Sequence, residues 1–343
     1  MIESDVIVIG SGVMGASTAR ALSRRGLSVN LVEQFEVGHA RGSSHGTSRI
    51  FRLSYPDPMY VSMAQEALSL WRAAEEESGE TLVVTTGGLD VGADIERNAD
   101  ALGACGASFE LVKGADVGER WGQPVVRDDE LALFQPDAGV ALADKVIDAF
   151  VRSAVRGGVK LHTSTRIDSL QISEEGVEAH AGSKLFLAGA AVVTAGAWAK
   201  SLLGGAGVEL DVTPTRETVT YFRVDGPTPP TLVEWTDPLI YALPAPGFGL
   251  KAGEHIAGSV TDPDEEGAVN GASIEKVSGW IRQRFPQADP TPAHAETCMY
   301  TNTPDEHFVL ERRGPIVVGS PCSGHGFKFA PLIGKRLAEM ALQ

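Results

Sequence analysis

Asp5-Val6-Ile7-Val8-Ile9-Gly10-Ser11-Gly12-Val13-Met14-Gly15 is the stretch on which the fold turns, together with Glu33 at the end of Ser28-Val29-Asn30-Leu31-Val32. The apolar, β-branched run 5–9 reads as a buried parallel strand. Residues 16–25 suit a helix that Gly26 ends, and residues 28–32 form a second strand. Gly10 makes the turn, Gly12 lets a pyrophosphate approach the backbone, and Gly15 packs helix on strand. Glu33 is positioned to accept both hydroxyls of an adenosine ribose. Glycines alone are a weak signal. Strand, glycines, helix, second strand and acid in this order make the complete dinucleotide fingerprint, without separating FAD from NAD.

Later segments favour FAD. Leu187–Trp198 is an apolar strand ending in a small-residue turn at Gly196, a place where flavoproteins of this architecture return to the dinucleotide. Pro315–Gly319 is another apolar strand, leading through Ser323-Gly324-His325-Gly326-Phe327-Lys328 into a helix from about 331 to 342. That junction can offer the N–H groups of Gly324 and Gly326 to a flavin. No second Gly-x-Gly-x-x-Gly occurs, so the electrons come from the substrate and leave to oxygen or a carrier.

The 343 residues, 43% hydrophobic and 22% charged, are ample for a buried core and suggest two structural domains or one large interwoven unit. The expected fold is α/β, a Rossmann-like nucleotide-binding domain with a second, antiparallel-sheet substrate domain. Residues 60–79 read as an amphipathic helix with Val61, Ala64, Leu68 and Trp71 inward, and residues 143–156 as another. Val159–His162 reads as a strand rejoining the first sheet. Residues 208–260 alternate like strands between Pro214, Pro227, Pro229, Pro230, Pro238, Pro244 and Pro246. The expected division is discontinuous: 1–50, 140–205 and 310–343 bind the nucleotide, while 51–139 and 206–309 form the cap.

A formal net charge of −16 argues against nucleic acid or an anionic membrane as partner, yet a local basic pocket can still hold an anionic small molecule. No apolar stretch is long enough for a membrane span, and the N-terminus does not read as a signal peptide. The C-terminal Ala-Leu-Gln is not a peroxisomal address. Three cysteines without framework spacing fit a reducing cytoplasm, the expected compartment. Metal-ligand spacing and a serine-hydrolase elbow are both absent.

Candidate chemistry falls on a few side chains. Cys298 and Tyr300, in Glu296–Asp305, point the same way on a strand, and a thiolate there can anchor a flavin; an isolated cysteine is otherwise an inert buried thiol. Lys251 and His255 share a face of Gly249–His255; the lysine can stabilise charge developing on oxygen and the histidine can orient substrate or relay protons. Arg49 and Arg52 follow Gly42-Ser43-Ser44-His45-Gly46, and arginine grips carboxylates through paired hydrogen bonds. Alone, Lys251, Arg49 and Arg52 read more simply as solvated surface charges and His255 as a satisfied core histidine. Lys328 differs, because its glycine-rich turn faces the cofactor. Cys322 and His325 are given only backbone or packing roles.

Taken together, these stretches resemble the monomeric sarcosine oxidase and N-methyltryptophan oxidase family of D-amino acid oxidase-like FAD-dependent amine oxidoreductases. The resemblance rests on Gly10-x-Gly12-x-x-Gly15, Gly42–Arg52, Thr85-Thr86-Gly87-Gly88-Leu89, Lys251-x-Gly253-x-His255, Cys298–Asp305 and Ser323–Lys328. It implies FAD carried on Cys298 by an 8α-S-cysteinyl bond, with Ser43 and Arg49 beside the cofactor. It assigns the substrate carboxylate to Arg52 and Lys328, the pocket wall to Tyr300 and His255, and reaction with oxygen to Lys251. It implies a monomer that moves hydride from an N-methyl carbon to the flavin, giving glycine, formaldehyde and hydrogen peroxide from sarcosine. Leu53-Ser54-Tyr55-Pro56-Asp57 departs from the family's usual wording, and the chain is shorter than its typical members. Both departures bear on the substrate. Proline, pipecolate or N-methyltryptophan as substrate, a dehydrogenase serving a protein carrier, and a non-catalytic flavin-binding subunit remain the alternatives.

Overall fold

In the computed structural model, which describes residues 1–226 and 228–343, the opening run forms the strand Ile2–Ile9 at the centre of an eight-stranded sheet. Pro227, one of the seven prolines noted above, lies outside the described residues. Ile2–Ile9 pairs in parallel with Val29–Val32 on one side and with Lys184–Val193 on the other. Lys160–His162 and Ile316–Ser320 extend the parallel set at its two margins. A hairpin not foreseen from the sequence, Ser169–Ser173 with Gly176–Ala181, and the strand Val309–Arg313 complete the sheet. The centre is apolar on both faces because both are covered, as parallel sheets require.

The first helix runs Val13–Ser23, three residues ahead of the expected start. Gly12 is its N-cap and supplies no side chain; Ser44 Oγ instead accepts from Val13 N at 3.1 Å. The helices Ala143–Arg156 and Ala330–Ala341 flank it, the first on its expected bounds. Gly334 lets the last helix touch the first, since a Cβ there would lie 2.3 Å from Ser17 Oγ.

The stretch 51–139 is divided between two cores. Its helix Pro58–Ser78, capped by Asp57 Oδ1 accepting from Met59 N at 2.8 Å, buries Val61, Ala64 and Trp71 in the same core as Leu22, Phe150 and Leu332. Its strands Gly88–Gly92, Glu110–Lys113 and Leu131–Gln135 instead join the cap sheet. That sheet has nine strands among the described residues, including Thr213–Phe222, Thr231–Trp235, Ile240–Ala245, Gly249–Glu254 and His294–Asn302. Its pairs are antiparallel except Thr231–Trp235 on Gly88–Gly92, which is parallel. The two strands come from remote segments, so no hairpin imposes a direction on them. A small sheet of Arg49–Phe51 and Val83–Thr85 about Gly139–Ala141 lies apart from both; a Cβ at Gly139 would come 2.0 Å from Val84 O, so only glycine admits this approach. Among the described residues no helix is long and apolar enough to cross a membrane, and no cluster of metal-binding side chains occurs.

Candidate active site

The parallel strands end at a cleft of about 310 Å³ lined by Gly10, Ser11, Gly12, Glu33, Ser43 and Gly196, with Gly324 and Gly326 opposite. Gly10 adopts φ +95°, and a Cβ on it would meet Thr194 O at 2.6 Å. Gly15 does not line the cleft but underlies it; its lack of a side chain leaves room for Gly10 O, which a Cβ would approach to 1.8 Å. Glu33 is buried and accepts from Ser11 N at 2.8 Å and Phe35 N at 2.9 Å. Burial favours its protonation, but hydrogen bonds from His39, Phe35 and Ser11 outweigh it and hold the carboxyl below its usual range. A helix N-terminus whose N-cap is a glycine, close-packed glycines that leave no room for a Cβ, and an ionised acid at the second strand end fit a dinucleotide.

A second cavity of about 100 Å³ adjoins the first, and the two share Arg49, Tyr300, Gly324 and Phe327. Lys251, His255, Cys298, Tyr300, Arg49, Arg52 and Lys328, spread over the chain in sequence, all line it. Cys298 and Tyr300 are buried on His294–Asn302, facing one way as alternation requires. Lys251 is in the strand Gly249–Glu254, whereas His255 lies just beyond its end, tied by His255 N donating to Leu239 O at 2.8 Å. Lys328 lines the second cavity and not the first; the short helical turn Phe327–Phe329 carries its side chain there. Cys298 likewise lines only the second, with Sγ 3.6 Å from Arg49 Nη2.

Arg49 is fastened by donating from Nη2 to Ser43 O at 3.0 Å and His45 O at 2.6 Å. Arg52 donates to Ser54 O and lies over the rings of Tyr55, at 4.3 Å, and Trp235, at 5.0 Å. Lys328 Nζ donates to Tyr55 Oη and His325 O, both at 2.8 Å. Burial, with Arg52 nearby, pushes Lys328 well below the usual lysine range. Neither Arg52 nor Lys328 has an ion-pair partner among the described residues. Burial and Lys328 also hold His325 far below its usual range, so the ring is neutral. Its Nε2–H then donates to Glu306 O at 3.0 Å, leaving Nδ1 to accept from Tyr55 Oη at 3.3 Å.

Burial lowers Lys251 to about 7, reinforced by Arg49 and opposed by Cys298 and Glu296. Its Nζ lies 3.6 Å from Glu296 Oε1. Several residues here were not read from the sequence as functional: Tyr55, Trp235, Tyr241 and Glu296, and Ser44 at the cleft. Glu296 stands at even spacing from Cys298 and Tyr300, a strand-period signal that could have found it. Tyr241 carries no comparable mark, since strand pairing alone brings it to the cavity, and neither does Trp235, whose ring meets Arg52 only in the fold.

The family described as FAD dependent oxidoreductase matches residues 5–340. The chain belongs to that family, among its sarcosine oxidase-like members. It is 32% identical to monomeric sarcosine oxidase of Bacillus sp. (strain NS-129), over 98% of this chain and 92% of that protein. It is 34% identical to the probable sarcosine oxidase of Arabidopsis thaliana, over 99% of this chain and 88% of that one. Among solved structures, NikD, an amino acid oxidase essential for nikkomycin biosynthesis, superposes with a TM-score of 0.90 at 25% identity, covering 100% of this chain and 95% of that one. The resemblance read from the motifs therefore holds, and this sarcosine oxidase-like flavoprotein is an FAD-dependent amine oxidoreductase.

Proposed function

We propose that the enzyme oxidises the carbon–nitrogen bond of a small N-methyl amino acid, sarcosine above others, giving glycine, formaldehyde and hydrogen peroxide. The observation that carries this reading is the pair of a buried Lys328 and a half-buried Arg52 at a cavity of about 100 Å³, neither in an ion pair with a carboxylate among the described residues. Cations withdrawn from water are costly unless paired, and a substrate carboxylate supplies the missing charge. An anion gripped at that end leaves the amine and its methyl group toward Tyr300, His255 and Lys251, which line the same cavity.

FAD, when bound, supplies the acceptor for the hydride. Gly10, Gly12, Glu33, Ser43, Gly196, Gly324 and Gly326 are the residues we assign to holding it, with Gly15 packing the helix behind them. Arg49 adds positive charge at the shared wall, and Cys298 is the assigned covalent anchor, through its sulfur. Tyr300 and His255 orient the amine. Lys251 is assigned to oxygen, its ammonium lying where charge develops as oxygen takes up electrons. Water then hydrolyses the imine. The working form is a monomer that requires no nucleic acid or membrane, and the cytoplasm is its proposed compartment.

The apolar wall of Val233, Leu239 and Leu243 with Tyr241 supports a second reading, a cyclic secondary amino acid such as proline or pipecolate. The test is a peroxide screen over N-methyl and cyclic amino acids, run beside anaerobic mixing that follows flavin bleaching. Sarcosine should give both signals. Bleaching without peroxide in air would point to a protein acceptor, and no bleaching with any amino acid would overturn the proposal. Acid precipitation should give a yellow pellet from the parent and a colourless one from Cys298→Ser.

A further inference from the structure

Lys251 does not sit alone. Three neighbouring strands, Gly249–Glu254, Thr213–Phe222 and His294–Asn302, bring Lys251, Tyr221 and Glu296 together, with the tyrosine on the middle strand. Tyr221 Oη donates to Glu296 Oε1 at 2.5 Å, and that same oxygen lies 3.6 Å from Lys251 Nζ. The lysine also lies over the Tyr221 ring, 5.4 Å from its centroid. Gly46 seals the group from the other side. A Cβ there would stand 3.2 Å from Glu296 Oε1, 3.4 Å from Lys251 Nζ and 3.5 Å from Arg49 Nη1. Its φ of +99° and the bond from Gly46 N to Asp144 Oδ1, 2.8 Å, hold the backbone in that position.

We propose that Glu296 is a positioning residue for Lys251: held by Tyr221, its carboxylate keeps Nζ charged and directed into the small cavity for the reaction with oxygen. This rests on the assignment of Lys251 to oxygen made above. The charges around Nζ support it. From the small sheet comes Arg49, a cation; from His294–Asn302 come Glu296 and Cys298; from Thr213–Phe222 comes Tyr221. The loop ahead of Arg49 adds His45, driven down to about 4 by burial and by Arg49, and therefore uncharged. The helix Ala143–Arg156 adds Asp144, whose oxygen is engaged by Gly46 N and whose carboxyl burial pushes up. His255, Tyr241 and Tyr300 line the same cavity. Glu296 is thus the carboxylate in contact with Lys251, and its own proton affinity is held down against burial by the Tyr221 hydrogen bond and by Lys251 and Arg49. Without it, a buried ammonium beside Arg49 keeps its charge less well.

The test uses the oxidised holoenzyme with lysine labelled at Cε. Its Lys251 resonance, assigned by its loss in Lys251→Met, is titrated with pH. In Glu296→Gln the midpoint should fall by about one pH unit or more, and in Tyr221→Phe by less. Reoxidation of dithionite-reduced enzyme by oxygen is followed in parallel. For Glu296→Gln it should slow by about tenfold above the parent's midpoint and recover as the pH is lowered, because there a midpoint lower by about one pH unit leaves roughly a tenth as much of the lysine charged. An unshifted midpoint in both variants overturns the proposal for Glu296. Parent-like reoxidation by Lys251→Met instead overturns the assignment of Lys251 to oxygen, and the proposal with it.

Discussion

Lys328 shows how much one residue's setting matters. A lysine in a glycine-rich turn ordinarily meets solvent, yet this one is 5% exposed and donates only to Tyr55 Oη and His325 O. Its lowered proton affinity gives the pH dependence its sign. The charged form, which a substrate carboxylate needs, is full at low pH and is lost as pH rises through the depressed folded-state value. Binding of a simple amino acid, followed by flavin absorbance, should therefore weaken with rising pH. Lys328→Met should lower kcat/KM on the order of 100-fold, the loss of a charge-assisted contact to the substrate carboxylate worth about 1.5–3 kcal/mol. Its Tm should match or exceed the parent's, since an apolar side chain replaces an uncompensated cation. A fall in Tm with unchanged kcat/KM would make Lys328 a structural residue instead. The cation at this position was legible in the sequence through its glycine-rich neighbours. Its lack of a carboxylate partner was not, because Tyr55, Arg52 and His325 meet it only in the fold.

Among elements, the turn between the strand Ile316–Ser320 and the helix Ala330–Ala341 joins the two cavities. Gly324, at φ +72°, lines both, and a Cβ on it would press within 2.2 Å of the Tyr300 ring and 2.6 Å of His255. Gly324→Ala should raise KM for the amino acid roughly five- to 150-fold, as crowding a packed site by one methyl costs roughly 1–3 kcal/mol. FAD content, read from the absorbance ratio of flavin to protein, should stay near the parent's, since alanine keeps the backbone N–H at this position and the added methyl meets the Tyr300 and His255 side chains. A loss of FAD with KM unchanged would reverse that assignment. This strand–turn–helix junction was readable because glycine spacing marks it. The cap sheet was readable only in part: alternation and prolines signalled strands in 208–260, but the recruitment of 88–92, 110–113 and 131–135 depends on pairings between distant segments.

For the whole molecule, charge is segregated: a chain of net charge −16 gathers Arg49, Arg52, Lys251 and Lys328 around one small cavity. The cap side also reaches over the nucleotide cleft through residues 261–266. Asp264 accepts from Arg166 at 2.9 and 3.0 Å and from Trp198 Nε1 at 2.7 Å, while Arg41 donates to its carbonyl at 3.0 Å. Arg166 and Trp198 line the cleft. Asp264→Ala should speed amide hydrogen exchange across 258–268 several-fold while moving Tm little, because exposed ion pairs contribute about 0–1 kcal/mol. Exchange unchanged in that segment would show that the loop is held by other contacts.

The amino-acid order alone determined the nucleotide half, because its fingerprint is local: one strand, three glycines, one helix and one acid, adjacent in the chain and each bound to a steric or electrostatic requirement. It also named the cavity's cations and Cys298, because motif spacing survives without coordinates. Only tertiary structure decided which of them face one another. That Lys251 meets Glu296, that Lys328 has no ion-pair partner among the described residues, and that the Trp235 ring lies under Arg52 all depend on contacts between remote segments, and no periodicity within a segment encodes them.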